Sequence, residues 1–410
     1  MVPIVGERRA TLILLLILSL VVVSLPQIET VKAEPKTIVV PDDYAAISWA
    51  IGNASEGDTI FVKRGNHEGP INQTLTINKA ISIIGENQST TKLSLHPEWL
   101  TIIIITANLS HYAEPIKIEA NDVKISGLTI TSDGGEISAN GNRTEITGNT
   151  FGVNVILRGS HQLFTENTLI GAGIHCSGTY ASVSKNTIYN GFIGSDSGSY
   201  DEIFANNVTG CISIVGTSNY ELVYDNTVKD GSCAGISIGS IGTTVVNNTI
   251  SNCSTGITHH VGSNNNVRGN VITNNRGPAL KVEEGSNFTF VQNYVADNPV
   301  GMQIETTFAL YQNSFVNNDL QVEILDDHIY FWSMDNGKVG NYWSDYTEKD
   351  ADGDGIGDTP YIVDKQIRDN YPLMEPVIIP EFPSWIILPL FLMATFSAIV
   401  FRKRLFHQRS

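Results

Sequence analysis

The chain has 410 residues, of which 41% are hydrophobic and only 16% charged, with a formal net charge of −17. Such an acidic surface repels phosphate backbones, which excludes nucleic acid as a partner. The apolar content excludes a disordered chain, and abundant Asn, Ser, Thr and Gly favour short strands and tight turns over long charged helices.

In chain order, Arg8 and Arg9 precede an apolar run from Ala10 to Leu25, and Val31-Lys32-Ala33 follows. This pattern predicts a signal peptide over residues 1–33, cleaved after Ala33, with an uncleaved signal anchor as the alternative. The next block, Ile38-Val39-Val40-Pro41-Asp42-Asp43-Tyr44, leads to Ile47, Ala50 and Ile51, then to Gly57-Asp58-Thr59-Ile60-Phe61-Val62. Residues 45–51 are expected to form a short helix over the end of a solenoid, because an uncovered end exposes core and unpaired strand edges. Looser coils follow at Ile81-Ser82-Ile83-Ile84-Gly85 and at Val123-Lys124-Ile125 with Leu128-Thr129-Ile130.

From Asn149 a repeat becomes regular: Asn, any residue, then an apolar residue. It recurs at Asn149, Asn167, Asn186, Asn206, Asn226, Asn248, Asn270, Asn293 and Asn313, at intervals of 18, 19, 20, 20, 22, 22, 23 and 20 residues. Three residues before each Asn stands another apolar residue, from Ile146 to Leu310, and a third apolar column includes Ile174, Ile212, Ile236, Ile257 and Met302. Three short segments of period two per coil predict three parallel sheets. No coil buries its apolar face alone, but stacking buries it continuously. The expected fold is all-β, a right-handed parallel β-helix over residues 36–325. Two reasons for the Asn column are expected: tolerance of the left-handed turn conformation, and coil-to-coil hydrogen bonding of stacked side chains.

Residues 326–379 read as a loop-rich C-terminal cap. Within it Asp350, Asp352 and Asp354 alternate as in positions one, three and five of a calcium loop, with Gly355 at six, Ile356 at seven and Asp358 at nine. Tyr361 stands where a bidentate acid is usual, so Asp364, Asp345 or Asp369 is expected to complete a structural calcium site. Tyr342, Trp343 and Tyr346 are expected to cover the open core beside it. Residues 380–410 hold an apolar run from Trp385 to Phe401 followed by Arg402, Lys403 and Arg404. They read as a membrane anchor with a cytoplasmic tail, placing the rest of the chain outside the cell. The preceding Pro380-Glu381-Phe382-Pro383-Ser384 resembles the archaeal Pro-Glu-Phe sorting signal, which implies processing by an archaeosortase. Nine Asn-X-Ser/Thr sequons between Asn53 and Asn287 agree with an extracellular glycoprotein.

The opening block, the Asn repeats, Gly340-Asn341-Tyr342-Trp343-Ser344-Asp345-Tyr346 and the Asp-rich run together resemble the NosD-like β-helix family. That family belongs to the carbohydrate-binding and sugar-hydrolase β-helix class. The family name implies copper. Copper takes clustered His, Met or Cys, and the chain offers His175-Cys176, His259-His260 and Met302 on several coils. Column alignment puts Cys176 and His259 at one inward position, where core filling is expected.

Two functions fit: a surface protein binding polysaccharide or another ligand, and a polysaccharide hydrolase or lyase. Alignment stacks His161, Tyr180, Tyr200 and Tyr220 in one column, a candidate platform for sugar rings. The same alignment sets Asp201 beside Glu221. Coils are about 4.8 Å apart, near the ~5–5.5 Å of a retaining glycosidase pair. Whether these acids line an open groove separates the two readings. Cys211, Cys233 and Cys253 fall near one column, so at most one disulfide is expected, from Cys233 to either neighbour, with Cys176 a buried thiol.

Overall fold

The computed structural model describes residues 34–97, 113–325 and 332–377. The expected signal peptide and membrane anchor lie outside these residues. Among the described residues no helix is long and apolar enough to cross a membrane.

The chain forms a parallel β-solenoid with three faces. One face is a sheet of 13 parallel strands, from Thr37–Val40 to Ala309–Tyr311. The second runs from Gly65–Ile71 to Tyr342–Trp343, and the third from Leu75–Ile77 to Leu320–Ile324. Strands are short because each coil must turn three corners. In two neighbouring coils the second and third faces merge into single strands, Thr187–Ser195 and Asn207–Ile214, with an irregularity between Tyr189 and Gly191. The register stacks like on like: Ile146 pairs with Phe164, which pairs with Val183. These columns make one continuous buried core from Ile38 to Trp343.

The N-terminal cap is the helix Ile47–Asn53, two residues later than the sequence suggests, with Ile47, Ala50 and Ile51 buried. No side chain caps its start. Its last carbonyls are satisfied by Lys79, whose Nζ reaches Gly52 O at 2.8 Å and Ala54 O at 2.7 Å.

The Asn column is a buried ladder. Each backbone N–H donates to the side-chain oxygen of the Asn one coil later, as Asn206 N to Asn226 Oδ1 at 3.0 Å, and each Nδ2 donates to that same oxygen, here at 2.9 Å. The ladder continues past Asn313 to Asn341 and ends on the carboxylate of Asp369, 2.6 Å from Asn341 N. The hydrogen-bonding reason for this column therefore holds, whereas the conformational one does not. The left-handed residue is the one before each Asn, including Glu166, Lys185, Ala205 and Asp225 with φ between 54° and 58°. A shorter ladder, Asn275 to Asn298 to Asn318, fills a second corner in the same way.

Candidate functional site

The third corner follows the same construction and carries the candidate residues. Here the left-handed positions are His161, Tyr180, Tyr200 and Tyr220, with φ between 56° and 60°. A left-handed residue throws its side chain outward, and these rings stack along the solenoid. Centroids are 4.9, 5.2 and 5.3 Å apart, with interplanar angles of 18° or less. The tyrosines are about half exposed. Each inner ring face is covered by its neighbour, and Tyr220 lies against Gly242, where a Cβ would come within 2.5 Å of the ring. A ligand therefore meets ring edges and hydroxyls, not the open faces expected of a stacking platform.

The residue after each of these points inward. Asp201 and Glu221 are brought together, but inside the coil, and both are fully buried. Asp201 Oδ1 accepts the N–H of Ala181 at 2.7 Å, and Glu221 Oε2 accepts the N–H of Asp201 at 2.7 Å. Asn265 does the same for Thr243 at 2.8 Å two coils later. The two acids thus occupy the position of ladder amides. Backbone separates them from the tyrosines, so they line no open groove and cannot reach a glycosidic bond outside. Burial pushes the Asp201 carboxyl up to about 7. Burial, then the neighbouring charge of Asp201, pushes Glu221 up to about 8. Asp201 Oδ2 is buried with no well-formed hydrogen bond.

The C-terminal cap brings Asp350, Asp352 and Asp354 together, with oxygens within 4.8 Å of one another. Asp350 is pre-shaped by the N–H groups of Gly353 and Gly355 at 2.7 and 2.8 Å. Those bonds, the Gly355 N–H foremost, hold its carboxyl below the usual range. Asp358 is turned away to the N–H of Ala351 at 2.7 Å, and Ile356 N donates to Asp354 Oδ1 at 2.8 Å. None of the acids expected to complete the set joins it. Asp345 accepts from the Tyr361 hydroxyl at 3.0 Å, Asp364 from Gln366 N at 2.7 Å, and Asp369 closes the Asn ladder. Trp343 does cover the core end: it is buried between Phe315, centroids 4.6 Å apart, and Tyr361, 4.5 Å apart. Tyr346 packs against the core edge and donates to Thr359 O at 2.5 Å.

Cys211 and Cys233 form a disulfide, with Cα atoms 6.3 Å apart, while Cys176 and Cys253 are buried free thiols. The expected single bridge from Cys233 is found.

Two features escaped sequence reasoning. His96 is held between Asp133, 2.6 Å from Nδ1, and Glu68, 2.9 Å from Nε2, each acid on a different coil. These bonds, Asp133 first, raise its pKa above the ordinary value. Beside Glu68, a groove of about 590 Å³ opens between the capping helix and the strands Gly65–Ile71 and Leu75–Ile77. No repeat marks these residues, since the early coils are irregular.

A family model described as periplasmic copper-binding protein (NosD) matches residues 211–348. A curated relative, the probable ABC transporter binding protein NosD of Stutzerimonas stutzeri, is 32% identical over 94 residues. That segment is 22% of this chain and spans about a fifth (21%) of the relative. Among solved structures, the Dettilon tailspike protein superimposes with a TM-score of 0.52 at 15% identity, covering 70% of this chain and 68% of its own. A GH87 alpha-1,3-glucanase catalytic domain in complex with nigerose gives 0.46 at 15% identity, covering 70% and 66%. The tailspike likeness shows the fold alone, and the glucanase likeness carries no argument. Together with the solenoid, the NosD matches support a NosD-like β-helix family.

Among the described residues the candidate ligands do not fit copper. His175 and Cys176 are consecutive on a strand and point to opposite faces. His259 is buried on Phe288 with its Nε2 accepting from Asn265 at 3.1 Å, and burial lowers its pKa. His260 faces Glu283, and Met302 is in the core. Among the described residues the group of three His, Cys, Asp or Glu whose ligand atoms all lie within 4.8 Å of one another is the Asp350, Asp352 and Asp354 set, and hard oxygen donors suit calcium rather than copper.

Proposed function

We propose that this NosD-like β-helix is an exported surface protein that binds polysaccharide, or another cell-surface ligand, along the outside of its solenoid. The observation carrying this reading is the exposed run of His161, Tyr180, Tyr200 and Tyr220. It sets polar ring edges at about 5 Å intervals along the axis over four coils. Such a periodic line suits an extended polymer, and each phenol both donates and accepts hydrogen bonds. Residues 380–410 would hold the protein at the membrane, as an anchor or, after archaeosortase processing, through a lipid. Calcium on Asp350, Asp352 and Asp354 would stabilise the C-terminal cap. Three carboxylates this close repel one another, and a bound cation reverses that repulsion.

The enzymatic reading gains nothing from Asp201 and Glu221, because both are sealed inside the coil. The test is a screen of the full-length protein against a polysaccharide panel, scoring binding and product release separately. We expect binding without release, weakened when Tyr200→Ala and Tyr220→Ala are combined. Failure to bind any polysaccharide overturns the polysaccharide reading. Product release would replace it with an enzyme using other residues.

A further inference from the structure

The groove at the N-terminal end has the chemistry of a second, separate saccharide site. Trp49 projects from the capping helix and is 63% exposed, and Ile71 opposite is 72% exposed. Both line the groove, where large apolar side chains would otherwise be hidden. Their companions are polar and uncharged: Gln73, Thr74 and Asn78, all exposed, with Glu68 as the one acid. Unlike the tyrosines, Trp49 has no aromatic neighbour stacked on it among the described residues, and most of its surface is exposed. Glu68 is not free to swing, since His96 Nε2 holds it at 2.9 Å. Gly69-Pro70 interrupts the strand register between Glu68 and Ile71 and shapes the wall.

An exposed indole in a groove flanked by amides, hydroxyls and one fixed carboxylate matches a pyranose ring. The ring's C–H face packs on the indole, and its equatorial hydroxyls find donors and acceptors around the rim. The chain as a whole is acidic, which disfavours uronic or sulfated sugars. We infer that this groove binds a short segment of neutral polysaccharide, stacked on Trp49. The inference rests on the polysaccharide reading and deepens it. It sets a ring-stacking site roughly four coils, or about 19 Å, from the start of the ladder at His161, too far for a disaccharide to touch both.

The experiment titrates cellobiose, mannobiose and chitobiose into the full-length protein. It fits affinity by calorimetry in wild type and in Trp49→Ala, Gln73→Ala and Tyr200→Ala proteins, and follows the Trp49 indole resonance in the proteins that keep it. The expected result is saturable binding of at least one neutral disaccharide. Trp49→Ala should weaken it about tenfold or more and Gln73→Ala severalfold, whereas Tyr200→Ala should leave it unchanged. Trp49 is on the surface, so its removal should not alter the thermal midpoint. Disaccharide affinity equal in wild type and Trp49→Ala overturns the groove, as does binding of polymer alone that only the tyrosine substitutions weaken. In both cases the ladder proposal stands. Absence of all saccharide binding removes both.

Discussion

Replacing Asp201 by Asn and Glu221 by Gln should make the protein more stable at alkaline pH. Both acids carry raised pKa values in the folded state, from 3.8 to about 7 for Asp201 and from 4.5 to about 8 for Glu221. The folded chain thus holds protons that the unfolded chain releases. Stability is then greatest below about pH 4 from this pair, falls as pH rises through the window from there to about 8, and levels off beyond. Each pKa unit is 1.36 kcal/mol, so ionising either carboxyl inside the coil costs on the order of 4 kcal/mol. Asn and Gln keep the acceptor oxygens used by Ala181 and Asp201 N–H and carry no charge. The amide nitrogen at 201 would also replace an oxygen that has no well-formed bond. The assay is guanidinium unfolding of the full-length wild type and the double variant from pH 4 to pH 9. The difference in stability should grow with pH and reach several kcal/mol. Asp369 is also raised, to about 6, but it is common to both proteins and cancels. Parallel pH profiles would refute the claim that these acids are buried neutral ladder members.

Asn226→Ala removes the acceptor of two bonds from Asn206 and strands the carbonyls of Ile203 and Tyr224. At ~1–3 kcal/mol per unsatisfied buried group, unfolding measurements should show a loss of at least about 3 kcal/mol; a loss under 1 would contradict the ladder's role. His96 should titrate above 6.5 by NMR, with its stabilising contribution present below that pH and fading as pH rises through the raised value; Glu68→Gln with Asp133→Asn should return it toward 6.5, and an unmoved midpoint would deny the clamp. Thiol reagents should find no reactive cysteine in the native protein and two after denaturation, and a bridge through Cys253 by mass spectrometry would break the pairing. Calcium should raise the thermal midpoint and a chelator lower it, with Asp350→Asn abolishing the response; equal midpoints and no binding heat would leave an acidic turn.

The repeat was legible because identical asparagines recur at intervals of 18 to 23 residues, and a side chain that bonds its own copy one coil away must be the same each time. The left-handed turn was misplaced by one residue because its position takes Gly, Glu, Lys, Ala, Asp, Asn or Gln, and so leaves no compositional mark. Alignment stacked the tyrosines and paired Asp201 with Glu221 correctly, but it could not say which of two consecutive residues faces in. Only the left-handed φ at the tyrosines decides that. The acidic cap illustrates another limit. Asp350, Asp352 and Asp354 converge as their spacing implies, while Asp358 is drawn to a backbone N–H that no spacing rule foresees. Trp49 and the His96 clamp belong to coils without a regular period, so nothing in the sequence aligned them.

The Asn ladder also has a polarity. Every amide points its nitrogen toward the C-terminal neighbour and its oxygen back, so the side-chain dipoles from Asn149 to Asn341 add along the axis. Like a helix macrodipole, the column gathers partial positive charge where its last donors emerge. An asparagine there would itself present N–H groups requiring yet another coil. A carboxylate only accepts. Asp369, taking the Asn341 N–H, its Nδ2 and the Trp343 indole N–H, absorbs the donors and passes none on. One extra oxygen in place of an amide nitrogen is therefore the stop signal of the solenoid. Asp369→Asn should leave amide donors unpaired at that buried end.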